Sequence, residues 1–370
     1  MKIVKVEPYV FKVPLVKPFR IFLAEVRSKD HMVVKVETDD GYVGVGEIGP
    51  LPEFAGESGA TCLAITKERL APALIGQDPF DIEKLIKRMD AAVKANHLAK
   101  SAVDFALHDL LGKILGVPVY KLLGGKYREK VPICWAMGMK SPEEMAKEAV
   151  EYVKKGYRCL KAKIGLDPKM DIERIKAIRE AVGDKVEIRA DANQAYSPEV
   201  AIQVIKKMER MNLDLQYVEQ PVPYWDIDGM AKVTRSVSTP ILADESIFSM
   251  HDAVSIIRRN AADIINLKVG KVGGLRVSSK IAAFAEAADF PCMVGSMLEI
   301  WLGTAAGAHF AVATKNVSYE CELVGPLYYT YDVVKEGYKY VDGFLEVPDK
   351  PGLGLELDEE KLEKAVSGEL

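Results

Sequence analysis

RCLKAK, residues 158–163, is an apolar run that ends on a lysine. Four later runs end on an ionisable residue in the same way: KVEIRAD (185–191), LDLQYVE (213–219), TPILAD (239–244) and ADIINLK (262–268). The terminal residues are Lys163, Asp191, Glu219, Asp244 and Lys268, and subtraction gives gaps of 28, 28, 25 and 24 residues. One strand, loop, helix and return loop takes about that length, and in a parallel barrel the C-terminal ends of successive strands meet at one rim. The beat therefore predicts three carboxylates at a barrel mouth, flanked by two ammonium groups.

Carboxylates packed together repel one another unless a cation joins them. All-oxygen donors with no thiolate or imidazole favour Mg²⁺ or Mn²⁺ over zinc. The competing reading makes each strand-end acid the N-cap of the helix that follows. Lys161 lies two residues before Lys163, so on a strand both point to one face. A free lysine is a weak base, and a neighbouring cation or burial lowers its pKa into a useful range. Lys161 and a bound metal are expected to act on Lys163 in this way. Glu245, directly after Asp244, is placed to orient or pair with Lys268. Two lysines on opposite sides of a substrate suit removal of a proton from one face and delivery to either. The metal would neutralise the charge formed when a carbon beside a carboxylate loses its proton.

Outward from this core, strands are expected near 131–137, 158–164, 186–190, 216–219, 240–243, 263–267, 291–294 and 317–322. Eight strands alternating with helices indicate a closed barrel. The fold class is α/β: a modified TIM-like (β/α)₈ barrel of (β/α)₇β form with an N-terminal α+β capping domain. MKIVKVEPYVFKV (1–13) and DHMVVKVETDDGYVGVGEI (30–48) read as strands, with a turn at DDG (39–41). Helical patterns follow at 58–76, 79–95 and 99–116, each stopped near Gly or Pro. The expected division is 1–125 for the cap, 126–325 for the barrel, and 326–370 for a strand- and turn-rich segment that packs back on the cap.

Composition sets further bounds. The 370 residues carry a formal net charge of −4, which gives no reason to expect nucleic acid or an anionic membrane as partner. Five scattered cysteines form no CxxC pair, so they read as reduced, buried thiols of a cytoplasmic protein. The start does not read as a signal peptide, and the apolar stretch GTAAGAHFAVA (303–313) is too short to cross a bilayer.

KAKIG (161–165), DANQ (191–194), VEQP (218–221), ADES (243–246), NLKVGKVGG (266–274) and GVGE (44–47) together resemble the enolase superfamily, in its muconate lactonizing enzyme subgroup. Sites of that superfamily use a Lys or His base beside Mg²⁺ that stabilises an enediolate. The resemblance implies Asp191, Glu219 and Asp244 as metal ligands, Lys163 and Lys268 as the acid/base pair, Lys161 as assistant, and Asn193 as a polar neighbour of the metal. It also implies a small-molecule carboxylate substrate and a homo-oligomer, octamer or dimer. A mandelate-racemase-like site would need a histidine on the seventh strand. That strand ends GSMLE (295–299) and offers Glu299 instead, and none of the five histidines falls at a strand end.

The substrate should be set by a lid from the cap and by the last strands. GEIGPLPEFAGES (46–58) reads as that lid, with Phe54 inside it. GSMLE, ECELVGPLYYT (320–330) and PGLGLELDEEKL (351–362) resemble muconate and chloromuconate cycloisomerases, while KPFRI (17–21), with Arg20, and the lid are also similar to dipeptide epimerases. Epimerases of that kind carry Asp-x-Asp on the eighth strand for the substrate ammonium. This chain has Glu320-Cys321-Glu322, of which Glu322 matches the lone glutamate of the cycloisomerases. A muconate-cycloisomerase-like enzyme is therefore the leading expectation. The alternative is a racemase or epimerase of N-acyl amino acids, dipeptides or proline-type amino acids. GKVGG (270–274) has neither P-loop nor dinucleotide-loop spacing and reads as a loop that lets substrate near Lys268.

Overall fold

The computed structural model describes residues 1–370. Three antiparallel strands form the sheet of the first unit: β1 (Ile3–Arg20), β2 (Glu25–Thr38) and β3 (Val43–Ile48), in the order β1-β2-β3. Alternation of apolar and charged residues puts Val34, Val36 and Ile48 into a core with the helices, where they are fully buried. The expected helix over 58–76 begins with a capping box between Ser58 and Thr61. A π-helical turn at Thr66–Leu70 then interrupts it. The helix His97–Leu115 is buried on most of its circumference. It lies directly on β3 because the GVGE glycines have no side chain there. A Cβ on Gly44 would stand 2.1 Å from the Ala106 carbonyl oxygen, and one on Gly46 equally close to that of Ala102.

The second unit is the barrel. The expected first strand is split at Ile133. Its first part, β4 (Lys130–Pro132), pairs antiparallel with a C-terminal hairpin, and β5 (Cys134–Met137) opens the parallel sheet. There follow β6 (Cys159–Lys163), β7 (Glu187–Asp191), β8 (Leu215–Glu219), β9 (Ile241–Ala243), β10 (Ile264–Asn266) and β11 (Cys292–Met293), all neighbours in sequence order. The eighth position is not a regular strand. Residues 317–322 close the ring by isolated parallel bridges, Cys292 with Val317 and Ile133 with Cys321. Backbone bonds on both sides complete the closure, from the Cys134 amide to the Cys321 carbonyl and from the Glu322 amide to the Val294 carbonyl.

The helices between strands are capped by residues other than the strand-end acids. Asp167, Ser197, Asp226 and Ser249 each accept a backbone N–H at the start of the helix that follows β6, β7, β8 and β9. Asp191, Glu219 and Asp244 are thus free of the N-cap role. After the eighth position a 3₁₀ turn at Gly325–Tyr328 replaces an eighth barrel helix. The chain then forms the hairpin β12 (Lys339–Val341) and β13 (Phe344–Glu346), whose second strand pairs with β4. Farther on, the Leu353 amide donates to Asp109 of the long cap helix at 2.7 Å. The C-terminal segment so touches both units. No helix is long and apolar enough to cross a membrane.

Candidate active site

Parallel pairing aligns the ionisable strand ends. Lys163 on β6 is the register partner of Asp191 on β7, which is in turn the partner of Glu219 on β8. Asp244 follows β9 and Lys268 follows β10, so five neighbouring strands deliver Lys, Asp, Glu, Asp and Lys in that order. The three acids are fully buried, and Lys161, Lys163 and Lys268 are nearly so.

A single network joins them. Lys163 Nζ donates to Asp191 Oδ2 at 2.5 Å and to Asn193 Oδ1 at 3.0 Å. Lys161 Nζ donates to Glu219 Oε2 at 3.0 Å and Glu322 Oε2 at 2.5 Å, and stands 3.1 Å from Asp191 Oδ2. Across the mouth, Lys268 Nζ donates to Asp244 Oδ2 at 2.6 Å. Burial pushes the Glu219 carboxyl well above its ordinary range, and Asp191, Glu322 and Asp244 push it further. Burial acts the same way on Asp191 and Asp244, but their lysine partners outweigh it and hold both below the usual carboxylate range. Burial works against the charged forms of Lys161 and Lys268, yet the acids around each keep its ammonium protonated.

These groups open onto a cavity. Its polar lining is Lys161, Lys163, Lys268, Asn193, Glu322 and Ser296, and its apolar wall includes Phe19, Ile21, Phe54, Met297, Leu298 and Tyr328. Phe54, in the short helix Pro52–Ala55, places its ring centroid 4.4 Å from Lys268 Nζ. Glu322 keeps one buried carboxylate oxygen, Oε1, without a hydrogen-bond partner.

Four expected residues have other places. Glu320 pairs with Arg189 at 2.5 Å, on the layer beneath Lys163 and Asp191, and does not line the cavity. The Arg189 guanidinium is fully buried and stacks over Tyr217, so it holds Glu320 at the barrel floor. Arg20 is exposed, while its neighbours Phe19 and Ile21 turn into the cavity. Glu299 is buried behind the wall, where it accepts from Ser296 Oγ at 2.6 Å and from the Met297 amide at 2.9 Å. Glu245 does not pair with Lys268. It accepts from Asn193 Nδ2 at 2.9 Å, and burial with Asp244 and Asp191 nearby pushes it up to about 7.

Two polar partners of the acids went unread in the sequence. Lys271, inside GKVGG, is fully buried and donates to Asp244 Oδ1 at 2.6 Å. Asn266 donates to Glu219 Oε1 at 3.0 Å. Asn266 stands two residues before Lys268, so its shared facing was available from strand alternation. For Lys271 the only signal was a lysine within an apolar, glycine-rich loop.

No three carboxylates close on one point, because each is turned to an ammonium or an amide. The donor set nevertheless fits a hard divalent cation. It is all oxygen, it comes from three adjacent strand ends, and burial together with the neighbouring carboxylates raises Glu219 above its ordinary range, a strain that a cation would relieve.

Comparison with known proteins identifies the family. The family model for the mandelate racemase / muconate lactonizing enzyme N-terminal domain matches residues 5–124, and the enolase C-terminal domain-like model matches residues 144–361. The L-Ala-D/L-Glu epimerase of Bacillus subtilis is 39% identical over 96% of this chain and 97% of its own length. Its substrate-liganded structure superposes with a TM-score of 0.93, covering 96% of this chain and 99% of that one. A dipeptide epimerase from Enterococcus faecalis V583, solved with Mg and the dipeptide L-Leu-L-Tyr, has 38% identity and a TM-score of 0.92, covering 96% and 100% of the two chains. Muconate cycloisomerase 1 of Rhodococcus opacus is 36% identical over 97% and 96%. With both domains matched and the barrel-mouth residues in the expected order, the chain belongs to the enolase superfamily, in its mandelate racemase / muconate lactonizing enzyme branch.

Proposed function

We propose that this protein racemises or epimerises the α-carbon of an amide-bearing amino-acid derivative, a dipeptide or N-acyl amino acid whose distal part is apolar. The observation that carries this reading is the pairing of Lys163 and Lys268 on opposite sides of one cavity whose remaining wall is mostly apolar. With Asp191 and Asp244 turned to a cation instead of to the lysines that now pair with them, one lysine, as free amine, takes the α-proton while the other, as ammonium, delivers a proton to the opposite face. The configuration inverts and the two lysines exchange protonation states. Asp191, Glu219 and Asp244 would hold a divalent cation, Mg²⁺ or Mn²⁺. When bound, it supplies the positive charge that the deprotonated carboxylate substrate requires. Lys161, tied to Glu219 and Glu322, keeps a fixed cation at the cavity floor. The unpartnered Oε1 of Glu322 is an acceptor for a substrate N–H. Asn193 orients the Lys163 ammonium.

The sequence alone favours a muconate-cycloisomerase-like lyase, and one observation still supports that second reading. Glu320 does not face the mouth, so Glu322 stands there as the lone acid. Against it, muconate carries a second carboxylate at its far end, and apart from the three lysines the cavity lining offers no cation, with Phe19, Met297 and Tyr328 among its apolar residues. The two readings separate in D₂O with Mg²⁺ present. Incubation with a panel of dipeptides, N-acyl amino acids and muconate should give deuterium at Cα of apolar amide substrates and leave muconate unchanged. Loss of muconate without any α-exchange would reverse the assignment.

A further inference from the structure

Behind the cavity wall lies a group of ionisable side chains that the proton transfer does not use. Lys29 and His31 come from β2, Glu47 from β3, Glu299 from the loop after β11, and Asp332 from the C-terminal segment. The first four are buried to 3% exposure or less. Lys29 is the one ammonium of the group. It spans from the cap to the barrel, where Lys29 Nζ donates to the Met297 carbonyl.

The bond clamps a peptide of the cavity wall. The Met297 amide is held by Glu299 at 2.9 Å, so the residue is fastened on both sides. Next to it, the Leu298 amide donates to Ser296 Oγ at 2.8 Å and its carbonyl accepts from Tyr329 OH at 2.7 Å. Leu298 needs this support, since its φ of 56° lies in the left-handed region that non-glycine residues avoid. The side chains of Met297 and Leu298 line the catalytic cavity, and Met297 is also part of the cap's apolar core. A second tie runs from the Gly303 amide to Glu47 Oε2 at 3.0 Å. Burying the Lys29 ammonium is costly even with Glu299 and Glu47 nearby, and a methionine would fill similar volume without that cost.

We propose that Lys29 is a positioning residue for the distal part of the substrate: by holding the Met297 carbonyl it fixes the Met297–Leu298 wall to the capping domain, so that cap and barrel present one apolar subsite. The substrate class rests on the function proposed above, whereas the clamp itself rests on the geometry of this loop. The charges that face Lys29 are Glu299 and Glu47, with Lys268 beyond the wall; His31 is kept neutral by burial and by Lys29. Burial lowers the Lys29 ammonium to about 8, and Glu299 and Glu47 offset only part of this.

The test compares the wild type, Lys29→Met and Lys29→Arg, each as the full chain loaded with Mg²⁺. Hydrogen exchange read by mass spectrometry on the peptide containing Met297 and Leu298 should lose about tenfold protection in Lys29→Met, the size expected for one lost charge-assisted bond. Protection elsewhere in the barrel should stay unchanged, and Lys29→Arg should recover part of the loss. On an apolar dipeptide, KM should rise about tenfold in Lys29→Met with kcat nearly constant, because uniform binding is lost and the acid/base groups are untouched. Unchanged protection in Lys29→Met, or in Lys29→Gln should the methionine variant not fold, overturns the proposal. If no dipeptide is turned over, the functional reading fails while the exchange data still decide the clamp.

Discussion

At the scale of single residues, the order Lys163, Asp191, Glu219, Asp244, Lys268 was legible because each closes a short apolar run and the runs recur at barrel spacing. What the sequence could not supply was depth. Glu320 and Glu322 share a face by strand alternation, but two residues along a strand amount to about 6.6 Å, which is one whole layer of a barrel. Glu322 therefore meets Lys161 at the cavity, while Glu320 meets Arg189 below it. Glu320→Gln should leave KM unchanged and lower stability by about 1–3 kcal/mol, because the buried Arg189 loses its anion. Thermal unfolding and steady-state kinetics on the same preparation check both halves. Metal dependence is read at the same scale. Glu219→Gln should weaken Mg²⁺ binding measured by calorimetry and lower turnover by at least about 10²-fold, and EDTA should abolish wild-type activity until Mg²⁺ or Mn²⁺ is returned. Full turnover by metal-free protein would rule out the ligand assignment.

At the scale of elements, the periodic pattern anticipated most of the barrel, yet two pieces departed from it. The expected eighth strand over 317–322 is reduced to bridges, since it lacks the run of apolar residues that fixes register in the others. The first strand breaks at Ile133 because its leading residues are taken by the C-terminal hairpin. The cap depends on a close approach that composition does not reveal. Gly46→Ala would drive a Cβ against the Ala102 carbonyl oxygen, and we expect a loss of about 1–3 kcal/mol, the usual range for overpacking. The C-terminal segment adds a pH-dependent tie. Asp332 accepts from the Trp301 amide at 2.9 Å at the start of a buried helix, and burial raises it from 3.8 to about 6. A carboxyl raised in the folded state contributes its full stability below pH 3.8 and loses it as pH climbs through about 6. The difference 6 − 3.8 is about 2 pH units, which corresponds to at most about 3 kcal/mol. Relative to Asp332→Asn, the wild type should lose that much between about pH 3.5 and 7 in denaturant titrations; a flat difference would contradict the burial argument.

At the scale of the whole molecule, the cap closes a barrel mouth that holds the lysines proposed as acid and base, and it contributes Phe19, Ile21, Leu51 and Phe54 to the same cavity. On the proposed reading, chemistry belongs to the strand ends and selectivity to the seam between units. The central claim is that Lys163 and Lys268 work on opposite faces of one α-carbon. Its most direct test follows both enantiomers of an apolar dipeptide or N-acyl amino acid in D₂O by proton NMR. The wild type should exchange and invert Cα. Lys163→Ala and Lys268→Ala should each lose inversion by at least about 10²-fold, the usual worth of a general acid or base. Each variant should still exchange the α-proton of one enantiomer only, and the two variants should select opposite enantiomers. Inversion that survives at near-wild-type rate in either variant, or exchange on the same face in both, would contradict the account.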